Sequence, residues 1–130
     1  MYHLTSTNEH GNAVESDGSP EIGGDGKGMR PMEMMLASLA SCSTIDVVLI
    51  LKKQRQQVDD IKITIEAEKE KMETYSRFST IHLHFDLYGK IKEGKAKQAI
   101  DLSLEKYCSV AMALRATSDI TTSFTVHEQS

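Results

Sequence analysis

The sequence contains no tryptophan, two prolines, two cysteines and only 5% aromatic residues. Two widely separated cysteines are too few for the disulfide framework of a small secreted protein, and they do not form the CxxC pair of a zinc site. A basic stripe is also absent, since the formal net charge is −4 and the pI about 5.7, so we expect no nucleic-acid partner. Residues 1–15 lack the apolar run of a signal peptide, which predicts a cytoplasmic protein.

The longest apolar stretch of the chain, residues 31–55, predicts a helix. Pro31 suits the first helical turn, the next twenty residues contain neither glycine nor proline, and cationic residues close the segment. Apolar side chains lie on nearly all sides, which is typical of a buried helix. Its length approaches that of a membrane span, but Glu33, Asp46 and several hydroxyl residues argue against one, so we expect no membrane partner.

Cys42 lies near the middle of this predicted helix, with Ala40 and Ser41 before it and Ser43 and Thr44 after it. Small neighbours leave room for a pocket beside the sulfur. Free cysteine is also among the most buried residue types, so the helix alone favours an inert core thiol.

Two further segments alternate apolar and polar residues and predict strands, residues 61–67 and 81–87, which a short connection would pair antiparallel. Before the long helix, the sequence predicts a hairpin (residues 2–7 and 13–16) and a glycine-rich loop without phosphate-binding spacing (17–28). A corner (58–60) precedes the first of the two strands, and a charged link (69–77) joins them. After the second strand, the sequence predicts an amphipathic helix (93–107), a short helix after a break (108–114) and a closing strand (120–126). The fold class is therefore α+β with a mostly antiparallel sheet, in one domain spanning residues 1–130.

Three other side chains are candidate site residues. His82 and His84 share a strand face two residues apart, a spacing that a metal accepts. Without a third cysteine or histidine nearby, a solvent-facing pair is the better interpretation. Cys108 precedes the short helix, which Ser109 would cap, and a thiol at a helix N-terminus is expected to have a lowered pKa.

The long helix also predicts self-association. One sheet face covers one side of it, and each large apolar side chain left exposed forgoes about 1.5–3 kcal/mol of burial free energy. We therefore expect a homodimer with this helix near the interface.

Three segments carry a resemblance to a known family: RPMEMMLASLASC, the STIDVVLILKK that follows it, and the distant KYCSVAMAL. Together they resemble the OsmC/Ohr family, the osmotically inducible and organic hydroperoxide resistance proteins. The segment DGSPEIGG resembles the less characterised OsmC-like branch more than the Ohr branch.

The resemblance implies an intertwined α+β homodimer with two active sites at its interface and no metal or organic cofactor. It implies that Cys42 is the peroxidatic nucleophile and Cys108 the resolving cysteine. A sulfenic acid on Cys42 would condense with Cys108 to a disulfide, which a cellular thiol or dithiol reduces.

The sequence departs from the family pattern around the nucleophile. Ohr-type members pair an N-terminal arginine with a glutamate directly after the helix-starting proline, and here Met32 stands at the glutamate position. Glu33 comes one residue later, about 100° around the helix. Residues 1–29 contain no arginine, so Arg30 is the candidate for positive charge at the pocket, with a solvent-facing Arg30 as the alternative. Ser109 also follows Cys108 where many members have proline.

The sequence thus predicts a thiol-dependent peroxidase that reduces organic hydroperoxides or hydrogen peroxide, with Cys42 and Cys108 as catalytic residues and Arg30 and Glu33 as possible pocket charges. The alternative is a protein of the same fold that senses redox state or binds a small molecule without efficient peroxidase activity. A third possibility leaves both thiols buried and inert.

Overall fold

A computed structural model describes residues 2–128 of the chain. The described residues form two compact units that divide between Ser38 and Leu39. Together the two units contain five strands and three α-helices, so the fold class is α+β as predicted. The prediction of a single domain over residues 1–130 stays a prediction.

The first unit opens with the predicted hairpin, β1 (Leu4–Thr7) and β2 (Ala13–Ser16), which pair antiparallel. The turn between them is held by the side chain of Asn8, whose Oδ1 accepts the backbone N–H groups of His10 and Asn12 at 3.0 and 2.9 Å. A side-chain oxygen that caps its own turn in this way explains why a short, weakly patterned hairpin forms here.

Asp17 organises the glycine-rich segment that follows the hairpin. The side chain of this buried residue accepts the backbone N–H groups of Gly18, Asp25 and Lys27 at 2.8–3.2 Å. These hydrogen bonds, that of Lys27 foremost, hold the pKa of the Asp17 carboxyl below its ordinary value. The segment is therefore a tightly turned connection, one of the two structures that its composition allowed.

Helix α1 (Pro31–Lys53) begins at the predicted proline and ends two residues before the predicted Arg55. Within the second unit it buries one row of side chains spaced four residues apart, Leu39, Ser43, Val47 and Leu51. Ile45 and Leu49 remain 60% and 53% exposed, so within one chain α1 is not buried on nearly all sides. Among the described residues α1 alone is long and apolar enough to cross a membrane, a criterion that core helices of soluble proteins also meet.

The second unit is built on a three-stranded sheet in the order β3 (Gln57–Lys71), β4 (Ser76–Lys90), β5 (Asp119–His127). Strands β3 and β4 are antiparallel as predicted, whereas β5 runs parallel to β4. Two of the three strand pairs in the chain are therefore antiparallel. A parallel pair requires a crossover, which the helical residues between β4 and β5 supply.

Both predicted connections around β3 are shorter than expected. The corner was placed at residues 58–60, but these lie in β3, where a register shift between Val58 and Asp60 absorbs them as a bulge. The chain turns instead just after α1, at Arg55, which has a positive φ of 60°. The charged link at residues 69–77 mostly continues the hairpin, because Arg77 Nε and Glu70 Oε2 form a cross-strand ion pair at 3.1 Å.

The core of the second unit lies on one face of the sheet. Its central row pairs Ile63 with Phe85 and Phe85 with Phe124 across the three strands. The buried apolar residues from β4, α1 and the helices after β4 are Phe78, Ile81, Leu83, Phe85, Leu87, Leu39, Val47, Leu51, Ala96, Ala99, Ile100, Leu104, Ala111 and Leu114. This core packs the middle of α1 and the segment around Cys108 into the same unit.

Candidate functional site

Cys42 lies on α1 beside the buried row, and its side chain is half-buried. The hydroxyl groups that follow it are turned back onto the helix: Ser43 Oγ donates to the Leu39 carbonyl at 2.8 Å and Thr44 Oγ1 to the Ala40 carbonyl at 2.7 Å. Because these groups are satisfied within the helix, they do not compete for the space around the sulfur.

Cys108 lies where the predicted amphipathic helix ends. Helix α2 (Glu93–Leu102) continues into one π-helical turn, Ser103–Tyr107, and the Cys108 N–H donates to the Ser103 carbonyl at 2.7 Å. Single π-helical turns of this kind are frequent at functional sites. This turn ends α2 and leaves Cys108 in extended backbone conformation at the start of the next helix.

Cys108 itself caps helix α3 (Ser109–Leu114). Its Sγ accepts the N–H of Ala111 at 3.4 Å, in the position that a serine or threonine hydroxyl takes in an ordinary N-cap. The expectation that Ser109 is the cap was therefore wrong by one residue. The reason is the π-helical turn, which ends the preceding helix at Tyr107 and sets the start of α3.

The structure brings the two cysteines together with an acidic side chain. The Sγ atoms of Cys42 and Cys108 and a carboxylate oxygen of Asp46 all lie within 4.8 Å of one another. Within residues 2–128 this is the one group of three or more cysteine, histidine or acidic side chains placed to hold a metal ion.

Burial raises the pKa of the Cys108 thiol to about 11, and the neighbouring Cys42 side chain acts in the same direction. The Ala111 N–H favours the thiolate, but desolvation outweighs it. The expected lowering of this pKa at a helix N-terminus was therefore wrong. Cys108 is fully buried and α3 spans only six residues, so burial is stronger than the attraction of the helix end.

This shift predicts a pH dependence for the reaction of Cys108 with alkylating reagents. The thiol keeps its proton up to a higher pH in the folded protein than in the unfolded chain, so its contribution to stability is complete below pH 9 and is lost as pH rises through about 11. At pH 8 iodoacetamide should modify Cys42 well before Cys108. The Cys108 rate should then rise about tenfold per pH unit until that pKa is reached.

Peptide mass spectrometry after timed alkylation measures both rates, and the same reaction in denaturant is the control, in which the two cysteines should react alike. Equal rates for Cys42 and Cys108 in the folded protein at pH 8 would contradict the raised pKa of the Cys108 thiol.

Sequence reasoning did not identify Asp46 as a site residue. There its charge was only an argument against a membrane span. It follows Cys42 by four residues, a spacing that places both side chains on the same face of a helix and could have identified it. The buried Ser103 Oγ lies 3.3 Å from Asp46 Oδ2 and 3.2 Å from the Ser43 carbonyl. No ion pair in the described part of the chain involves Asp46.

Arg30 and Glu33 lie at the start of α1 in the first unit, and both are exposed. The Arg30 backbone N–H donates to Glu33 Oε1 at 2.9 Å, which is one half of a capping box. Glu33 thus has a structural role at the helix N-terminus. That either residue supplies charge to the pocket of Cys42 stays a prediction.

His82 and His84 form a polar network with β5. His82 Nδ1 lies 2.7 Å from Thr121 Oγ1, and Ser123 Oγ lies 2.8 Å from His82 Nε2 and 2.6 Å from His84 Nδ1. Both histidines are half-buried by these contacts rather than fully solvent-facing. The parallel pairing of β5 with β4, which the sequence pattern did not show, aligns the hydroxyl groups with the imidazole rings.

The family model described as OsmC-like protein matches residues 24–123. The chain belongs to the OsmC-like protein family. Protein YhfA of Escherichia coli (strain K12) is 44% identical over 101 residues, which are 77% of this chain and 75% of that protein. The resemblance noted from the sequence is therefore confirmed.

Solved structures agree with this assignment. A crystal structure of a hypothetical protein from Aquifex aeolicus VF5 is similar with a TM-score of 0.85 and 32% identity, covering 99% of this chain and 90% of that one. An organic hydroperoxide resistance protein OsmC from Legionella pneumophila has a TM-score of 0.72 and 18% identity, covering 96% and 97%. At 18% identity, the similarity to the Legionella pneumophila protein shows a shared fold. The OsmC-like chain thus has the fold of the OsmC/Ohr family.

Proposed function

We propose that this OsmC-like protein is a thiol-dependent peroxidase that reduces organic hydroperoxides or hydrogen peroxide with Cys42 and Cys108. The observation that carries the proposal is the approach of these two thiols, from distant parts of the chain, to within 4.8 Å. The similar fold of a Legionella pneumophila protein named for organic hydroperoxide resistance supports it.

The proposed reaction proceeds in three balanced steps. The Cys42 thiolate attacks one peroxide oxygen, the O–O bond breaks, and an alcohol or water leaves after taking up a proton, so that Cys42 becomes a sulfenic acid. The Cys108 sulfur then attacks Cys42 Sγ, which forms a disulfide and releases water. A thiol or dithiol reductant returns two electrons and two protons by thiol–disulfide exchange.

The positions of the two thiols suit these roles. Cys42 is half-buried and accessible to a peroxide, whereas Cys108 is fully buried behind it. A nucleophile must meet the substrate, and a resolving thiol must meet only the oxidised nucleophile. Burial also keeps Cys108 protonated, with a pKa of about 11, so that it does not compete for peroxide.

Trapping the sulfenic acid tests the proposal directly. In Cys108→Ser, one equivalent of cumene hydroperoxide should leave a sulfenic acid on Cys42 that dimedone captures. In the wild-type protein the same treatment should give a Cys42–Cys108 disulfide, which is lighter than the reduced protein by two hydrogen atoms. Intact-mass and peptide spectra measure both products, and Cys42→Ser is the control that should form neither. A dimedone adduct that appears first on Cys108 would reverse the proposed roles.

The second candidate function is a redox sensor of the same fold without efficient peroxidase activity. The observation that favours it is the raised pKa of Cys108, because a protonated resolving thiol closes the disulfide slowly. Steady-state turnover with dihydrolipoamide distinguishes the two: a peroxidase cycles many times, whereas a sensor oxidises once and is reduced slowly.

We also propose that the protein is a homodimer that buries the exposed side of α1. Ile45 and Leu49 lie one turn apart on that side and are both more than half exposed. Because each side chain is already partly buried, covering it with a second copy would recover about half of the 1.5–3 kcal/mol that full burial provides.

A further inference from the structure

We propose that Cys42, Asp46 and Cys108 form a binding site for a thiophilic divalent cation such as Zn²⁺, and that the occupied site protects both thiols from oxidation. The proposal rests on the geometry and chemistry of these three side chains and does not depend on the peroxidase function.

The three ligand atoms already lie close to the spacing that a tetrahedral cation requires. All three are within 4.8 Å of one another. With metal–sulfur distances of about 2.3 Å and metal–oxygen distances of about 2.0 Å, ligand atoms in a tetrahedral zinc site lie roughly 3.5–3.8 Å apart. Movements of about 1 Å, within the reach of side-chain rotation, would close the site.

The donor set selects the class of metal. Two cysteine sulfurs and one carboxylate oxygen suit zinc and other thiophilic ions, whereas magnesium and calcium require oxygen ligands alone. On binding, both thiols lose their protons to solvent and the cation takes their place. Three protein ligands leave the fourth position to water or to an external thiol, which is typical of an exchangeable rather than a structural zinc site.

The surroundings of Asp46 fit a metal ligand. Ser103 Oγ lies 3.3 Å from Asp46 Oδ2 and 3.2 Å from the Ser43 carbonyl, so this hydroxyl orients the carboxylate as hydrogen-bond partners orient the ligands of metal sites. No ion pair within residues 2–128 involves Asp46.

The site couples metal binding to redox state. A thiolate bound to the cation is no longer free to attack a peroxide, and a Cys42–Cys108 disulfide removes two of the three ligands. Bound metal should therefore slow oxidation, and oxidation should release the metal. Because Cys42 and Asp46 are half-buried, the cation can reach the site from solvent.

Titration of the reduced, metal-free protein with Co²⁺ and Zn²⁺ tests the proposal. We expect one Co²⁺ per chain with sulfur-to-cobalt charge-transfer absorption, displaced by Zn²⁺. Cys42→Ser and Cys108→Ser should each lose most of that absorption, and Asp46→Asn, which keeps the size of the side chain, should weaken Zn²⁺ binding at least about tenfold. Ser103→Ala should weaken it to a smaller degree.

Glu105→Gln, at an exposed acid outside the site, and His82→Ala, in the sheet network, are the matched controls and should bind Zn²⁺ as the wild type does. Circular dichroism confirms that each variant is folded. Binding that survives in all three ligand variants, or that His82→Ala abolishes, would overturn the proposal, as would Zn²⁺ binding to the fully oxidised protein. Zn²⁺ binding without peroxide turnover would support the site and count only against the peroxidase function.

Discussion

Replacing Cys42 by serine is expected to abolish thiol-dependent peroxide turnover. A serine hydroxyl is not ionised at neutral pH and cannot store the transferred oxygen as a sulfenic acid, so the first step of the proposed reaction has no substitute. We expect turnover to fall roughly a thousandfold or more, to the background of the reductant alone. The measurement is consumption of cumene hydroperoxide and hydrogen peroxide with dihydrolipoamide or dithiothreitol.

Cys108→Ser distinguishes the roles of the two thiols in the same assay. It should leave the first oxidation of Cys42 intact and slow only the steps after it, because an external thiol must then resolve the sulfenic acid directly. Ser109→Ala, at the exposed neighbour of Cys108, is the control and should be as active as the wild type. If Cys42→Ser retained wild-type turnover, the peroxidase proposal would fail and the sensor or binding function would take its place.

Replacing Leu49 by glutamate is expected to dissociate the proposed homodimer. Leu49 is 53% exposed on the side of α1 that the chain itself leaves uncovered. Under two-fold symmetry the substitution occurs twice in one interface. Because Leu49 is only 53% exposed, each copy loses about half of the full burial free energy, and the two together lose about 1.5–3 kcal/mol, or roughly ten- to a hundredfold in the dissociation constant. The two introduced carboxylates add a desolvation cost and repel each other where they meet.

Sedimentation equilibrium across micromolar concentrations measures this effect. Lys53→Glu places the same carboxylate at the exposed end of the same helix and should leave the dimer intact. Ile45→Glu, one turn away on the uncovered side, should behave as Leu49→Glu does. A wild-type protein that is monomeric at micromolar concentration would contradict the dimer proposal before any variant was made.

The long helix and the central hairpin could be predicted because their signals are local. Pro31 starts α1, the glycine-free apolar run continues it, and strict alternation marks β3 and β4. The boundaries around β3 were less accurate. Aspartates in a bulge and charged residues in an extended hairpin resemble turn residues, although cross-strand pairs such as Glu70 and Arg77 stabilise them as strand.

The candidate site was predicted in part, since both cysteines were identified by resemblance but their surroundings were not. Asp46 has no signal beyond its spacing from Cys42, because one carboxylate on a mostly apolar helix also suits a solvent-facing position. The pKa of Cys108 was predicted in the wrong direction, because a helix N-terminus is visible in the sequence whereas the depth of burial is not.

The α+β class, the helix that carries Cys42 and the family could all be predicted from residue order, since each depends on patterns along a continuous segment. Tertiary structure alone decided the parallel pairing of β5 with β4, the cap that Cys108 forms on α3 and the meeting of both sulfurs with Asp46. The physical reason is that these features join segments far apart in the chain. Their formation depends on how the sheet and the helices pack, which no local pattern of residues records.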